Sequence, residues 1–182
     1  MSSVDPSDRA IPAEKAGVPA SDRVMRLRTF LILIALIQAL DIPAKLGVLV
    51  MNDPEVPGPG WGGWAVTAEL ALSPLATLAV LYFTIRGYLT FAVVALAITA
   101  LLGWVSMLPS VVNHWAGIPE PDLTGLYTVW QAFVLPVVAC VAILLAWQRE
   151  RIVIAAMLAA LPTILGVLGF VGFAIGVTMY GF

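Results

Sequence analysis

Five apolar segments, at residues 28–51, 63–85, 88–112, 125–147 and 152–180, decide what this chain can fold into. At a rise of ~1.5 Å per residue, each is long enough as a helix to cross the ~30 Å hydrocarbon layer of a bilayer. The gaps between them are short and rich in helix breakers. The first, from Asn52 to Gly60, contains Pro54, Pro57 and Pro59; the second is the Arg86-Gly87 turn; the third, from Asn113 to Thr124, holds Pro119 and Pro121; the fourth is Gln148-Arg149-Glu150-Arg151. Charged residues are 11% of the chain, hydrophobic residues 61%, and the mean hydropathy is +1.00. A soluble domain carries about 25% charge, so the solvent for these segments is expected to be lipid. The reading is an all-α integral membrane protein, a bundle of five transmembrane helices spanning residues 27–182.

Residues 1–26 form a polar stretch with Pro6, Pro12 and Pro19 and charges of both signs. Its apolar content is too low to fold alone, so a disordered cytoplasmic tail is expected. It does not resemble a signal peptide, because the apolar run after it is too long and the stretch itself is partly acidic. Orientation follows from the positive charges. Arg23, Arg26 and Arg28 precede or open the first segment, Arg86 lies in the second gap, and Arg149 and Arg151 lie in the fourth. The first and third gaps hold only acids, namely Asp53, Glu55, Glu120 and Asp122. Five crossings put all the loop positives on one side, which predicts a cytoplasmic N-terminus, an outside C-terminus and a multi-pass protein of a bacterial inner (plasma) membrane. Trp61, Trp64, Trp115 and Trp130 then fall near the outer rim and Trp147 near the inner one, as interfacial tryptophans do.

Ionisable groups inside a membrane segment are costly and usually face the bundle interior. Helical spacing assigns them to faces. Gln38, Asp41 and Lys45 form one stripe on the first helix, and Glu69, Ser73 and Thr77 another on the second. Thr99, Ser106, Ser110 and His114 share a face of the third; Tyr127, Thr128 and Gln131 lie together on the fourth. Counting from the helix ends, Lys45, Glu69 and Gln131 lie about 9 Å below the outer end, and the inner half is almost purely apolar. The pattern predicts an outward-facing polar cluster with no inner vestibule. Asp41 and Lys45 are i, i+4 partners in the favourable order, and Glu69 is a second candidate partner for Lys45. Either way one acid is left over, a candidate for binding or proton handling. The fifth segment offers Thr163 and Thr178 and, on one side, Gly166, Gly169, Gly172 and Gly176, a small-residue face suited to other membrane subunits.

A polar residue precedes a proline by five positions three times: Gln38–Pro43, Glu69–Pro74 and Gln131–Pro136. Proline deprives the carbonyl four residues earlier of its donor, which a polar group must then satisfy. The second and third instances extend to Arg86 with Gly103 and Arg149 with Gly166. This spacing raises the arrangement of two parallel helical hairpins, helices 2–3 and 4–5, beside helix 1.

No GxSxG, HExxH, P-loop or dinucleotide-binding glycine pattern is present. The single histidine excludes a bis-histidine haem site, and His114 has no metal-ligand spacing around it. Cys140 is read as a small buried hydrophobe. No cofactor or metal is expected, and there is no basic cluster for nucleic acid. The expected role is non-enzymatic, an accessory subunit or small-ligand binder using Gln38, Asp41, Lys45, Glu69 and Gln131. The alternatives are a proton-coupled carrier using Glu69 or Asp41, and an enzyme acting on a lipid or quinone head group through His114 and Glu69.

Overall fold

The computed structural model describes residues 20–51, 60–114, 129–148 and 151–181. Of these 95% are helical, and none is in a strand. Five helical stretches are long and apolar enough to cross a membrane: Asp22–Val50, Gly60–Arg86, Leu89–Pro109, Trp130–Trp147 and Ile152–Met179. We number the helices α1 (Ala20–Ala39), α2 (Ile42–Met51), α3 (Gly60–Arg86), α4 (Leu89–His114), α5 (Leu135–Trp147, entered through a π-helical turn at Trp130–Val134) and α6 (Ile152–Tyr180).

Helix α3 begins at Gly60 rather than 63 and α4 runs to His114 rather than 112, and the first segment differs at two places. Helix α1 begins at Ala20, so residues 20–26 are helical rather than part of a disordered tail; residues 1–19 lie outside the described residues. More consequentially, the first apolar segment is two helices, not one. The backbone turns at Leu40 and Asp41, where Leu40 donates to the Ile37 carbonyl and Asp41 to the Gln38 carbonyl, both at 3.2 Å, in three-residue steps. Four-residue spacing resumes when Lys45 donates to the Asp41 carbonyl at 3.0 Å. The cause is local. Pro43 has no N–H for the Ala39 carbonyl, and it sits at the second position of α2, where proline is well tolerated. Asp41 stands immediately before the helix, where an aspartate is favoured. Pro74, Pro109 and Pro162 lie within continuous helices, so proline alone does not make the break; the Asp-Ile-Pro start signal is what this site adds.

Helices α3 and α4 form a hairpin closed by a Schellman turn. Tyr88 donates to Phe83 at 2.8 Å and Gly87 to Thr84 at 3.1 Å, with Gly87 at φ +82°, a region open to glycine and strained for other residues. At the far end of the hairpin α3 and α4 come close again. A Cβ on Gly62 would lie 3.0 Å from the Pro109 Cβ.

The core occupies the end of the bundle that holds Arg28, Gly87 and Arg151. There Leu27, Leu31, Ile34 and Ala35 of α1 meet Val80 of α3, Ala92 to Ala97 of α4, Ala139, Ala142 and Ala146 of α5, and Ala155, Ala156, Ala159 and Ala160 of α6. Alanine at this density lets helices approach closely without a hydrophobic driving force between them. Arg28 ties the end together by donating to the Ile85 carbonyl at 2.8 Å. Cys140 is exposed rather than buried. It falls on the face of α5 that carries the exposed Val137, Val141 and Leu144, opposite the buried alanines. Toward its C-terminus α6 leaves the core, and Leu168, Phe170, Phe173 and Met179 are all exposed. Gly166, Gly169, Gly172 and Gly176 would each accept a Cβ with nothing within 4 Å, so they mediate no close packing within this chain.

The Schellman turn gives a direct test. Gly87→Val forces a β-branched residue into left-handed backbone and is expected to destabilise the chain by about 1–2 kcal/mol, measured by denaturation in mixed micelles. Gly47→Val, at a position with open space around its Cβ and no positive φ, should cost less.

Candidate functional site

The break in the first span changes where its polar residues point. Gln38 lies on the last turn of α1, Asp41 in the turn and Lys45 on the first turn of α2. They no longer form one continuous stripe. Lys45 reaches α3, where its Nζ donates to Glu69 Oε1 at 2.5 Å and to Ser73 Oγ at 2.7 Å. The ion pair is largely sheltered, with the two side chains 26% and 12% exposed, and Ser73 is buried. Of the two candidate partners for Lys45, Glu69 takes the ion pair; Asp41 is exposed and joins no ion pair among the described residues. Glu69, Ser73 and Thr77 do share the face of α3 that spacing predicts, and Thr77 is satisfied by donating to the Ser73 carbonyl at 2.9 Å.

Gln38 reaches the opposite way. Its Nε2 donates to Thr163 Oγ1 of α6 at 2.8 Å, while its Oε1 is buried with no hydrogen-bond partner among the described residues. A buried acceptor without a donor costs free energy, typically about 1–3 kcal/mol.

Between these two side-chain bridges lies a cavity of about 770 Å³. All five apolar spans contribute to it. Gln38, Asp41 and Lys45 come from the broken span, Ser73 and Thr77 from α3, Thr99, Gly103, Trp104 and Met107 from α4, Gln131 and Leu135 from the π-turn and the start of α5, and Thr163, Gly166, Val167 and Phe170 from α6. Its volume lies in the range of small-molecule sites, roughly 300–1,000 Å³. It stands away from the alanine-rich end and is open on the side where Leu40, Asp41 and Phe170 are exposed.

Trp104 is the cavity residue that stripe spacing misses. Its Nε1 donates to the Ala132 carbonyl at 3.0 Å, the carbonyl that Pro136, four residues later, leaves without a helical donor. The π-turn itself closes through the Leu135 N–H on the Trp130 carbonyl. The expectation that a neighbour must satisfy the freed carbonyl holds at Pro136, but the donor is this indole. A signal was available, since a tryptophan mid-way along an apolar helix is far from either interface and needs an acceptor for its N–H.

The polar face assigned to α4 is only partly a site. Thr99 and Ser106 spend their hydroxyl protons on their own helix, at the Ala95 and Gly103 carbonyls, a common solution for hydroxyls in apolar helices. His114 ends α4; its side chain, like those of Ser110, Tyr127 and Thr128, lies outside what is described. Trp61, Trp64 and Trp147 are exposed near helix ends, and Trp115 lies outside the described residues. No group of three or more His, Cys, Asp or Glu side chains among the described residues can hold a metal. Comparison with protein-family models, curated proteins and solved structures found no match.

The Lys45–Glu69 bridge carries a stability prediction. Lys45→Met leaves Glu69 in a sheltered site without its counter-charge and should cost on the order of 3 kcal/mol. The double substitution Lys45→Met with Glu69→Leu should recover most of that loss. Denaturation of the wild type, both single variants and the double variant in mixed micelles measures the coupling; two single losses that simply add would show that the pair is not coupled.

Proposed function

We propose that this chain is a non-enzymatic multi-pass membrane protein that holds a small ligand in the cavity at the break of its first span. The observation that carries the reading is the cavity at the break, about 770 Å³ and lined from all five spans. Its volume suits a small molecule, and its lining combines polar side chains such as Asp41, Lys45 and Gln131 with apolar ones such as Leu135, Val167 and Phe170. In this reading the charge distribution, which favours a cytoplasmic N-terminus, sets the alanine-rich core toward the inside of a bacterial plasma membrane and the cavity toward the outside. The small-residue face at Gly166, Gly169, Gly172 and Gly176, open in this chain, suits an accessory subunit docking against other membrane proteins.

A carrier is the second reading, favoured by the discontinuous first span. Interrupted helices with an acid at the break are a recurrent way of building transport sites, and Asp41 is placed there. It requires a path to the other side, where the alanine-rich core is closed. In reconstituted vesicles this reading expects a flux that Asp41→Asn removes.

Gly103 provides the discriminating variant for ligand binding. It lines the cavity, and a Cβ added there meets nothing within 4 Å. Gly103→Phe should fill the space without straining the helices. Native mass spectrometry of the detergent-purified wild type is expected to reveal a bound small molecule that is absent from Gly103→Phe, with no drop in melting temperature beyond ligand loss. A wild type free of bound mass, and unresponsive in melting temperature to added amphiphiles of any head group, would contradict the proposal.

A further inference from the structure

Arginines gather at the alanine-rich end of the bundle, away from the cavity. Arg23, Arg26 and Arg28 lie on the opening turns of α1, Arg86 on the last turn of α3 and Arg151 immediately before α6. The acid that the described residues set beside them is Asp22. The ion pair among the described residues, Lys45 with Glu69, belongs to the other half. Two of the arginines are brought to one place. Arg28 crosses from α1 to α3, where its Nη2 donates to the Ile85 carbonyl at 2.8 Å, the carbonyl of the peptide bond that leads into Arg86. A guanidinium has five N–H donors and stays charged, so a bond to one neutral carbonyl leaves the charge of Arg28 unmatched and most of its donors unused. The Arg86 guanidinium folds back over the Tyr82 ring, 5.7 Å from its centroid. Neither guanidinium meets a carboxylate among the described residues.

The surface that runs from these charges toward the middle of the span is apolar. Leu75, Leu78, Tyr82 and Ile85 follow one another on α3 at three- and four-residue steps, which puts them on one stripe, and all four are exposed. A tyrosine close to the end of a span sits where hydrocarbon gives way to head groups. The α3 stripe therefore presents hydrocarbon, then a tyrosine, then two unmatched guanidiniums, in the order in which a phospholipid presents its chains, glycerol region and phosphate.

We propose that Arg28 and Arg86 hold the head group of an anionic phospholipid in the leaflet at this end of the bundle. Its phosphate oxygens accept from the two guanidiniums, and an acyl chain lies along Leu75 and Leu78. The planar fork of arginine suits phosphate oxygens, and basic sites between membrane helices recognise lipid heads by this chemistry. A zwitterionic lipid carries the same phosphate beside a cation of its own, so the net charge of the head sets the preference. The site stands apart from the cavity and does not depend on a ligand there. Arg23 lies five residues before Arg28, on another face of α1; it adds to the general attraction of this end and not to the site.

Native mass spectrometry of the purified chain in dodecyl maltoside, titrated with dioctanoyl phosphatidylglycerol or dioctanoyl phosphatidylcholine, tests this. The anionic lipid is expected to bind at least about fivefold more tightly, the contribution of one basic residue beside anionic lipid. Arg86→Gln should lower its affinity by about fivefold, whereas Arg23→Gln should leave it within about twofold because that charge is screened at a distance. Arg28→Gln should also weaken binding, but it removes the tie to Ile85, so Arg86→Gln is the deciding variant and its melting temperature is measured beside it. A salt series on the wild type needs no variant: raising NaCl from roughly 50 to 500 mM should weaken the anionic lipid several-fold and leave phosphatidylcholine unchanged. Excess inorganic phosphate should not displace the lipid. Equal affinity for the two lipids, equal losses in Arg23→Gln and Arg86→Gln, indifference to salt, or displacement by inorganic phosphate would each overturn the inference.

Discussion

A lysine in an apolar helix has to be neutralised and hydrogen-bonded, or it cannot stay there. The rest of this structure depends on how Lys45 meets that demand. It does so across helices, with Glu69 and Ser73 of α3, rather than within its own helix with Asp41. The bridge pins α2 to α3. The turn at Leu40 and Asp41 then lets α1 follow a separate path into the alanine-rich core. The turn sets Asp41 at the start of α2, on the cavity edge.

The two ends of the bundle are therefore built from different materials. Toward Arg28 and Gly87, small side chains and a tight Schellman turn hold the helices together. Toward the break, polar bridges hold them apart: Lys45 to α3, Gln38 to α6, and Trp104 to the carbonyl before Pro136. Proline matters at two of these places. Pro43 helps to set the break and Pro136 frees the Ala132 carbonyl that anchors Trp104. The cavity is the space these bridges enclose.

Much of this was legible in the sequence. The five spans, the α3 stripe of Glu69, Ser73 and Thr77, and the purely apolar character of one half all follow from composition and helical spacing. Four features were not legible by those means. The break at Asp41 escapes a hydropathy reading because Leu40, Ile42 and Leu46 keep the average high, although Asp41-Ile42-Pro43 carries the chemistry of a helix start. Partner choice for Lys45 depends on how α2 lies against α3, which helical spacing leaves open between Asp41 and Glu69. Trp104 was hidden because an apolar stripe is indistinguishable from ordinary packing until Pro136 is seen to leave an acceptor beside it. The exposure of Cys140 is the simplest miss. Its burial depends on which face of α5 meets the alanines, and an apolar run without polar markers does not say.

One half of the bundle is sealed, and in the proposed function the other holds a cavity reached from the outer side. Thiol labelling in intact membranes tests it most directly, in a Cys140→Ala background to remove the native thiol. A cysteine placed at Thr99, on the cavity wall, should react with a membrane-impermeant maleimide added on the side opposite the N-terminus, and not with the same reagent added on the N-terminal side. A cysteine at Ala156, which has no exposed surface, should react from neither side. Labelling of Thr99→Cys from the N-terminal side, or of Ala156→Cys from either, would contradict the account.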